Sequence, residues 1–254
     1  MSTPHRSEAV LAIATLALVM AVFLWGKSIH DRPQATKTAA MLPAGPQATI
    51  KLQDRQIRQH DDWWSIDIKY PEFEGADVFN MAVSQNVTAN LNNFKKELPK
   101  TATTGYPDYG AYLKATYTAQ VLKNGVVSVL FDYDEYAPGA VHPWGVLASI
   151  NYDTRVRRVI ALPDLFRPQS HYVSRLSGLA IESLDKNGFA DKHAIRDGAG
   201  PVESNFKVFT LTDTDLVLHF QQYQVAAGAM GSEQVVIPLT RLAPLLRKQY
   251  RPVP

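Results

Sequence analysis

The sequence predicts an α+β protein: an N-terminal transmembrane helix, then two α/β halves, each with a helix packed on an antiparallel sheet. Three observations lead there. Ala9–Trp25 (AVLAIATLALVMAVFLW) is an uncharged apolar run. Two amphipathic stretches with helical spacing, at 75–98 and 172–184, stand far apart in the chain. Between and after them apolar residues alternate, and turn residues at Asn124-Gly125 and Asp213–Asp215 join the runs as hairpins rather than crossovers.

Composition narrows the function classes. The 254 residues are 46% hydrophobic and 20% charged, enough to bury a sizeable core. A net charge of +2 is too small for a nucleic-acid binder, which needs a basic face to displace counterions from phosphates. With no cysteine, disulfides, thiolate zinc sites, iron–sulfur clusters and cysteine nucleophiles are excluded.

In chain order, Ala9–Trp25 has 17 residues. At ~1.5 Å each they span ~25 Å, slightly short of the ~30 Å hydrocarbon core. Trp25 falls where a lipid–water boundary would lie. The first small-x-small site, Thr38-Ala39-Ala40, comes well after the run, which favours an uncleaved anchor over a signal peptide. Residues 1–8 then form a short cytoplasmic leader and 26–46 an aperiodic stalk. The eight leader residues are too few to fold a domain of their own.

The soluble part is expected as an α+β companion module at 47–108 and an α+β domain at 109–250. Trp63, Trp64, Ile66, Ile68 and Tyr70 alternate with polar residues as a half-buried strand, stopped by Pro71. The helix at 75–98 turns Val78, Met81, Ala82, Val87, Leu91, Phe94 and Leu98 to the core and Asn80 to solvent, and Pro99 ends it. Tyr109–Leu122 and Val126–Asp134 form a hairpin whose Asn124-Gly125 suits a type I′ turn. Val127, Val129, Phe131 and Tyr133 share one face of its second strand. Strands follow at 146–153 and 156–162, then a helix at 172–184 with Leu176, Leu179, Ala180 and Leu184 inward. A loop at 188–200, a hairpin within 206–220, a Gly- and Ala-rich excursion at 221–231, a short strand at 235–237 and a helix at 240–247 complete the chain.

Two constellations could carry chemistry. Asp132 and Asp134 sit at a strand end near His142, and such a trio can act as general acid and base. The same carboxylates also read as ordinary solvated strand-end acids. Tyr136, His142 and Trp144 in one loop, with Tyr223 in another, form a candidate ligand-binding set, because exposed aromatics anchor recognition surfaces. The histidines form no i, i+4 pair and no His-Glu-x-x-His, so neither metal nor cofactor is expected. Ser183-x-x-Lys186 and Ser204-x-x-Lys207 match a nucleophile–base spacing, but their companion motifs are absent.

Tyr136–Pro143 (YAPGAVHP), Asn151–Phe166 (NYDTRVRRVIALPDLF) and Phe209–Leu246 resemble, in order, a family of extracytoplasmic bacterial domains of unknown biochemical function. The family is RsiV-like and includes the N-terminal region of PdaC-type peptidoglycan deacetylases. The resemblance covers roughly residues 47–247. It implies export of the large domain to the periplasm, as a single-pass membrane protein. It also implies a binding or sensing module without catalysis, whose partner is an envelope protein, a lysozyme-like protein among them, or peptidoglycan. An anti-sigma role would need a cytoplasmic segment longer than residues 1–8, and a deacetylase role a separate metal-binding catalytic domain. The sequence departs from the pattern where Val141 separates Ala140 from His142, and where Ala227-Gly228 replaces the usual Pro-Tyr. The alternative function is an envelope hydrolase working through Asp132, Asp134 and His142.

Overall fold

The computed structural model describes residues 51–98, 110–186 and 191–252. The expected anchor and stalk lie outside them. No helix among the described residues is long and apolar enough to cross a membrane.

A six-stranded sheet dominates. Its strands, β1 (Leu52–His60), β2 (Trp64–Phe73), β3 (Ala111–Val121), β4 (Val126–Tyr136), β5 (Trp144–Asp153) and β6 (Arg158–Val159), lie side by side in chain order. Helix α1 (Asp77–Glu97) stands between β2 and β3, and these two strands are parallel. The sheet is therefore mixed, not antiparallel as expected, because a helix-length connection permits the crossover that a hairpin cannot make. β2 and β3, on either side of the expected module boundary at 108/109, are hydrogen-bonded neighbours in this one sheet.

Local departures from the sequence expectations have physical causes. Pro71 does not stop β2, which runs on to Phe73. Pairing with β3 ends at Ile68, so β2 has a free edge at Pro71 where a missing N–H is tolerated. The β3–β4 turn is a three-residue loop closed by Leu122 N–H to Val126 O (2.8 Å), with Gly125 alone at positive φ (79°). A type I turn followed by a left-handed glycine fits this, in place of the expected type I′. Helix α1 buries Phe79, Val83, Val87 and Phe94, whereas Val78 and Met81 are 46% and 61% exposed. Its first turn is rotated because Asn80 bonds inward, accepting from Phe73 N–H (2.8 Å) and donating to Phe73 O (2.7 Å). Phe79 then packs on Phe73 at 4.6 Å.

One face of the sheet meets α1 in a core that includes Val127, Val129, Phe131 and Tyr133. At the Val126 end, the second core gathers α2 (Tyr172–Lys186), α3 (Lys192–Gly198) and a small antiparallel sheet. That sheet has the order β7 (Phe209–Leu211), β8 (Asp215–Phe220), β9 (Glu233–Pro238). Leu176, Leu179, Ala180 and Leu184 of α2 are buried, as their spacing predicts. α3 replaces the expected loop, nucleated by Asp191, whose carboxylate accepts from His193 and Ala194 N–H. The expected strand at 156–162 shrinks to β6, and the terminal helix to α4 (Leu239–Leu242). There the chain is drawn out of helix by pairing: Arg167 N–H donates to Leu245 O and Arg247 N–H to Leu165 O.

The two sheets meet through side chains, not through strand pairing. Asn151 donates to Phe209 O (2.9 Å), Phe209 N–H to Ser149 Oγ (3.0 Å), and Leu211 N–H to Ser128 Oγ (2.9 Å). The outer edge of β7 is thus satisfied by the face of β4 and β5. This contact covers only the Ser128–Asn151 end of that face, and the Asp132–Tyr136 end stays open.

Candidate functional site

The open end follows from strand alternation. Odd-numbered residues of β4 point into the α1 core, so Asp132, Asp134 and Tyr136 point the other way. Across the ladder Asp132 faces Leu147 and Asp134 faces Gly145. Gly145 carries no side chain to fill the space, and a cleft of about 340 Å³ opens there. Asp132, Asp134, Pro143, Gln222 and Ser232 help to line it. Neither aspartate has an ion-pair partner among the described residues. Lost solvation, and then the charge of Asp134, hold the Asp132 carboxyl above its ordinary range.

A wall rises beside the cleft from residues 221–224. Gln221 acts as a one-residue strand, accepting from Leu147 N–H (2.8 Å) and donating to Leu147 O (2.7 Å). Gln222 accepts from Gly145 N–H (3.3 Å) and donates to Gly228 O (2.8 Å). Gln224 donates to Gly198 O and Asn205 O. These three amides hold Tyr223 between them at φ 67°, a conformation unusual for an aromatic residue. Strain of ~1–3 kcal/mol persists only where the surroundings over-determine it, as here. Gly228 is also required, since a Cβ there would lie 1.8 Å from Tyr223 Cζ.

Tyr223, 49% exposed, is where the candidate residues converge. Its ring stacks with Trp144 at 5.4 Å (14° between planes) and with His142 at 6.1 Å (26°). A carbonyl can only accept, so His142 Nδ1–H donates to Pro143 O (2.8 Å), and Nε2 accepts from Tyr223 O–H (2.8 Å) in the neutral ring. Both ring nitrogens are therefore occupied, neither by a carboxylate. Val141, the residue that interrupts Ala140–His142, is 98% exposed at the loop tip.

Tyr136 lies apart from this trio. It stacks on Tyr112 of β3 at 6.0 Å. Burial, then Asp134, raise the Tyr112 phenol above its ordinary value. Tyr112 also lines a second cleft, of about 280 Å³, with His60, Asp61, Trp63, Trp64 and Lys114. Trp63 and Trp64 are both half-buried against the α1 core.

Other sequence candidates are spoken for. Lys186 bonds Glu182 (2.8 Å), and no hydrogen bond joins it to Ser183. The described residues hold no cluster of three or more metal-ligating side chains. The Asn151-Tyr152-Asp153 start of the run that carries the resemblance is structural: Asn151 docks β7, and Asp153 is buried under Arg155 (2.6 Å) and Tyr250 O–H (3.0 Å). Sequence reasoning missed Gln221, Gln222 and Tyr112. The run Gln-Gln-Tyr-Gln, directly after a strand, was the available signal for the first two.

Comparisons with known proteins match two stretches of the chain and its fold. Residues 57–144 match a family model described as deacetylase PdaC, and residues 163–240 one described as a protein of unknown function, DUF3298. The peptidoglycan-N-acetylmuramic acid deacetylase PdaC of Bacillus subtilis is 27% identical over 185 residues, which are 72% of this chain and 39% of that protein. The chain thus spans well under half the length of this curated relative. A DUF3298 family protein from Pseudomonas aeruginosa superposes with TM-score 0.62 at 14% identity, covering 82% of this chain and 99% of that one. A member of the same family from Bacteroides fragilis gives 0.57 at 16%, covering 80% and 96%. The mixed α+β fold is therefore that of DUF3298 structures. The sequence likeness shown is to PdaC and DUF3298 domains, and the narrower RsiV-like reading goes beyond it.

Proposed function

We propose that this chain is a membrane-anchored, periplasmic module of the cell envelope that binds a ligand and does not catalyse a reaction. The ligand sits on the wall of His142, Trp144 and Tyr223 and in the adjoining cleft over Asp132 and Asp134. One observation carries the reading: Tyr223 sits in a strained conformation, stacked and exposed, in a segment that the amides of Gln221, Gln222 and Gln224 tie to Leu147, Gly145, Gly228, Gly198 and Asn205. A rigid, exposed aromatic wall beside a small cleft is the form of a recognition site. The envelope setting is supported by the PdaC likeness and by the apolar run at 9–25. Peptidoglycan and an envelope protein, including a lysozyme-like one as in the RsiV-like reading, are the ligands to try.

The hydrolase reading has one observation in its favour, the raised carboxyl of Asp132. Against it, His142 spends both nitrogens on Pro143 and Tyr223. A pull-down with the full chain against purified peptidoglycan and lysozyme tests the binding reading. Wild type should retain at least one, and Trp144→Ala should lose it while melting at the wild-type temperature. Retention of neither overturns the proposal. Release of soluble sugar from peptidoglycan by wild type, lost in Asp132→Asn, would instead establish the hydrolase.

A further inference from the structure

The two clefts are ends of one surface. On the sheet face turned away from α1, the ladder aligns Ser65, Tyr112 and Tyr136 in one row. It aligns Asp67, Lys114, Asp134 and Gly145 in the next, and Thr116, Asp132 and Leu147 in a third. The Tyr112–Tyr136 stack lies between the second cleft and the first, with Tyr112 lining one and Asp134 the other. From β5 to β2 is three strand spacings, ~14 Å at ~4.8 Å each.

Aromatic surface and carboxylate recur along this path. The Tyr223 wall stands beside one end, the Tyr136–Tyr112 stack lies in the middle, and the cleft at the other end has Trp63, half-buried against the α1 core, in its lining. Flat aromatic faces take the C–H faces of sugars, while carboxylates, amides and hydroxyls such as Asp132, Gln222 and Ser232 take their polar edges. Charge decides which sugar. Asp132, Asp134, Asp61 and Asp62 line the clefts, with Lys114 and His60 also in the lining of the second. Lys114 Nζ itself lies 4.8 Å from the Tyr112 ring centroid, so this surface already holds one ammonium over an aromatic face. An acidic polymer would be repelled, and a free ammonium would add charge-assisted hydrogen bonds to those that any sugar's hydroxyls offer the two aspartates.

We propose that this face is a track for a linear amino-sugar polymer bearing free ammonium groups, laid across β5, β4, β3 and β2 from the cleft at Gly145 to the cleft at Tyr112. The inference rests on the binding reading above and names its ligand. The reaction class that supplies such a ligand is N-deacetylation of an N-acetylated glycan. Water cleaves the amide C–N bond, acetate leaves, and the sugar keeps a protonated amine.

The test is calorimetric titration of the full chain with glucosamine oligomers, N-acetylglucosamine oligomers of equal length, and the glucosamine disaccharide. Wild type should bind the free-amine oligomer about tenfold more tightly than the acetylated one. Asp132→Asn with Asp134→Asn should erase that preference. Tyr112→Leu should weaken the long oligomer about tenfold yet leave the disaccharide unchanged, because only a track needs the middle of the face. Tyr136→Leu serves as the second variant should Tyr112→Leu melt early. Equal or tighter binding of the acetylated oligomer, or no binding of either, overturns the inference. If neither sugar binds while peptidoglycan or protein is retained in the pull-down, the track fails and the binding reading stands. If nothing is retained at all, both fail.

Discussion

His219 is nearly inaccessible in β8, with Thr210 Oγ1 2.8 Å from Nε2, and burial lowers its pKa to about 4. The unfolded chain titrates near 6.5, so it binds the proton that the folded protein refuses. Stability should fall as pH drops from 6.5 to 4, by about 3 kcal/mol, and His219→Gln should flatten that slope in urea unfolding. Asp153 works in the opposite direction. Its burial alone would raise its pKa, but the hydrogen bonds and charge of Arg155, with Tyr250, hold it below the ordinary carboxylate value. Its contribution is present above the unfolded value near 3.9 and is lost as pH falls through the folded one. Asp153→Ala at pH 7 should cost about 2 kcal/mol, since it strands Tyr250 O–H and Arg155. Both groups were visible in the sequence, His219 as an apolar-flanked histidine and Asp153 within Asn-x-Asp. Their partners were not, because Thr210 and Tyr250 reach them only through strand pairing and the C-terminal return.

The segment 221–231 shows how an element can be legible in outline and opaque in mechanism. Its composition marks an excursion between strands. That Gln221 imitates a strand partner for Leu147, and that Gly228 clears room for the Tyr223 ring, are consequences of where β5 lies. Gly228→Ala should push the Tyr223 ring out of its stacked position, since the added Cβ would meet the ring and not backbone. We expect a stability loss of about 1 kcal/mol, with a changed near-ultraviolet circular dichroism signal from the Trp144–Tyr223 stack and loss of ligand retention. Helix α1 gives the complementary case. Its existence, length and C-terminal stop before Pro99 follow from spacing and from the extended Leu98 (ψ 131°). Its rotation follows from Asn80 seizing the backbone of Phe73, a contact between elements that helical periodicity does not encode.

At the scale of the molecule, the contact between the two sheets sets where the site can be. β7 docks on Ser128, Ser149 and Asn151 and goes no further, which leaves the other end of the same face for Asp132, Asp134 and Tyr136. Asn151→Ala removes the donor to Phe209 O and the acceptor of Ser128 O–H in a buried place. It should cost ~2–3 kcal/mol and raise hydrogen exchange in β7 and β8 ahead of β1 and β2.

The sequence by itself determined the α+β class, most strand positions, the inward face of α2, the lack of thiol chemistry and the loops that carry His142 and Tyr223, whereas Tyr136 closes β4 and Trp144 opens β5 instead of sharing the loop of His142. These are properties of short windows, where the periodicity of apolar residues and the demands of turns act directly on the chain. Only the tertiary structure decided that β2 and β3 are parallel, that His142, Trp144 and Tyr223 meet while Tyr136 joins Tyr112, and that His142 turns to Pro143 and Tyr223 and away from the aspartates. Each of these depends on contacts between residues about 20 to 80 positions apart, fixed by register and by the packing of one sheet on another, and no local pattern carries that information.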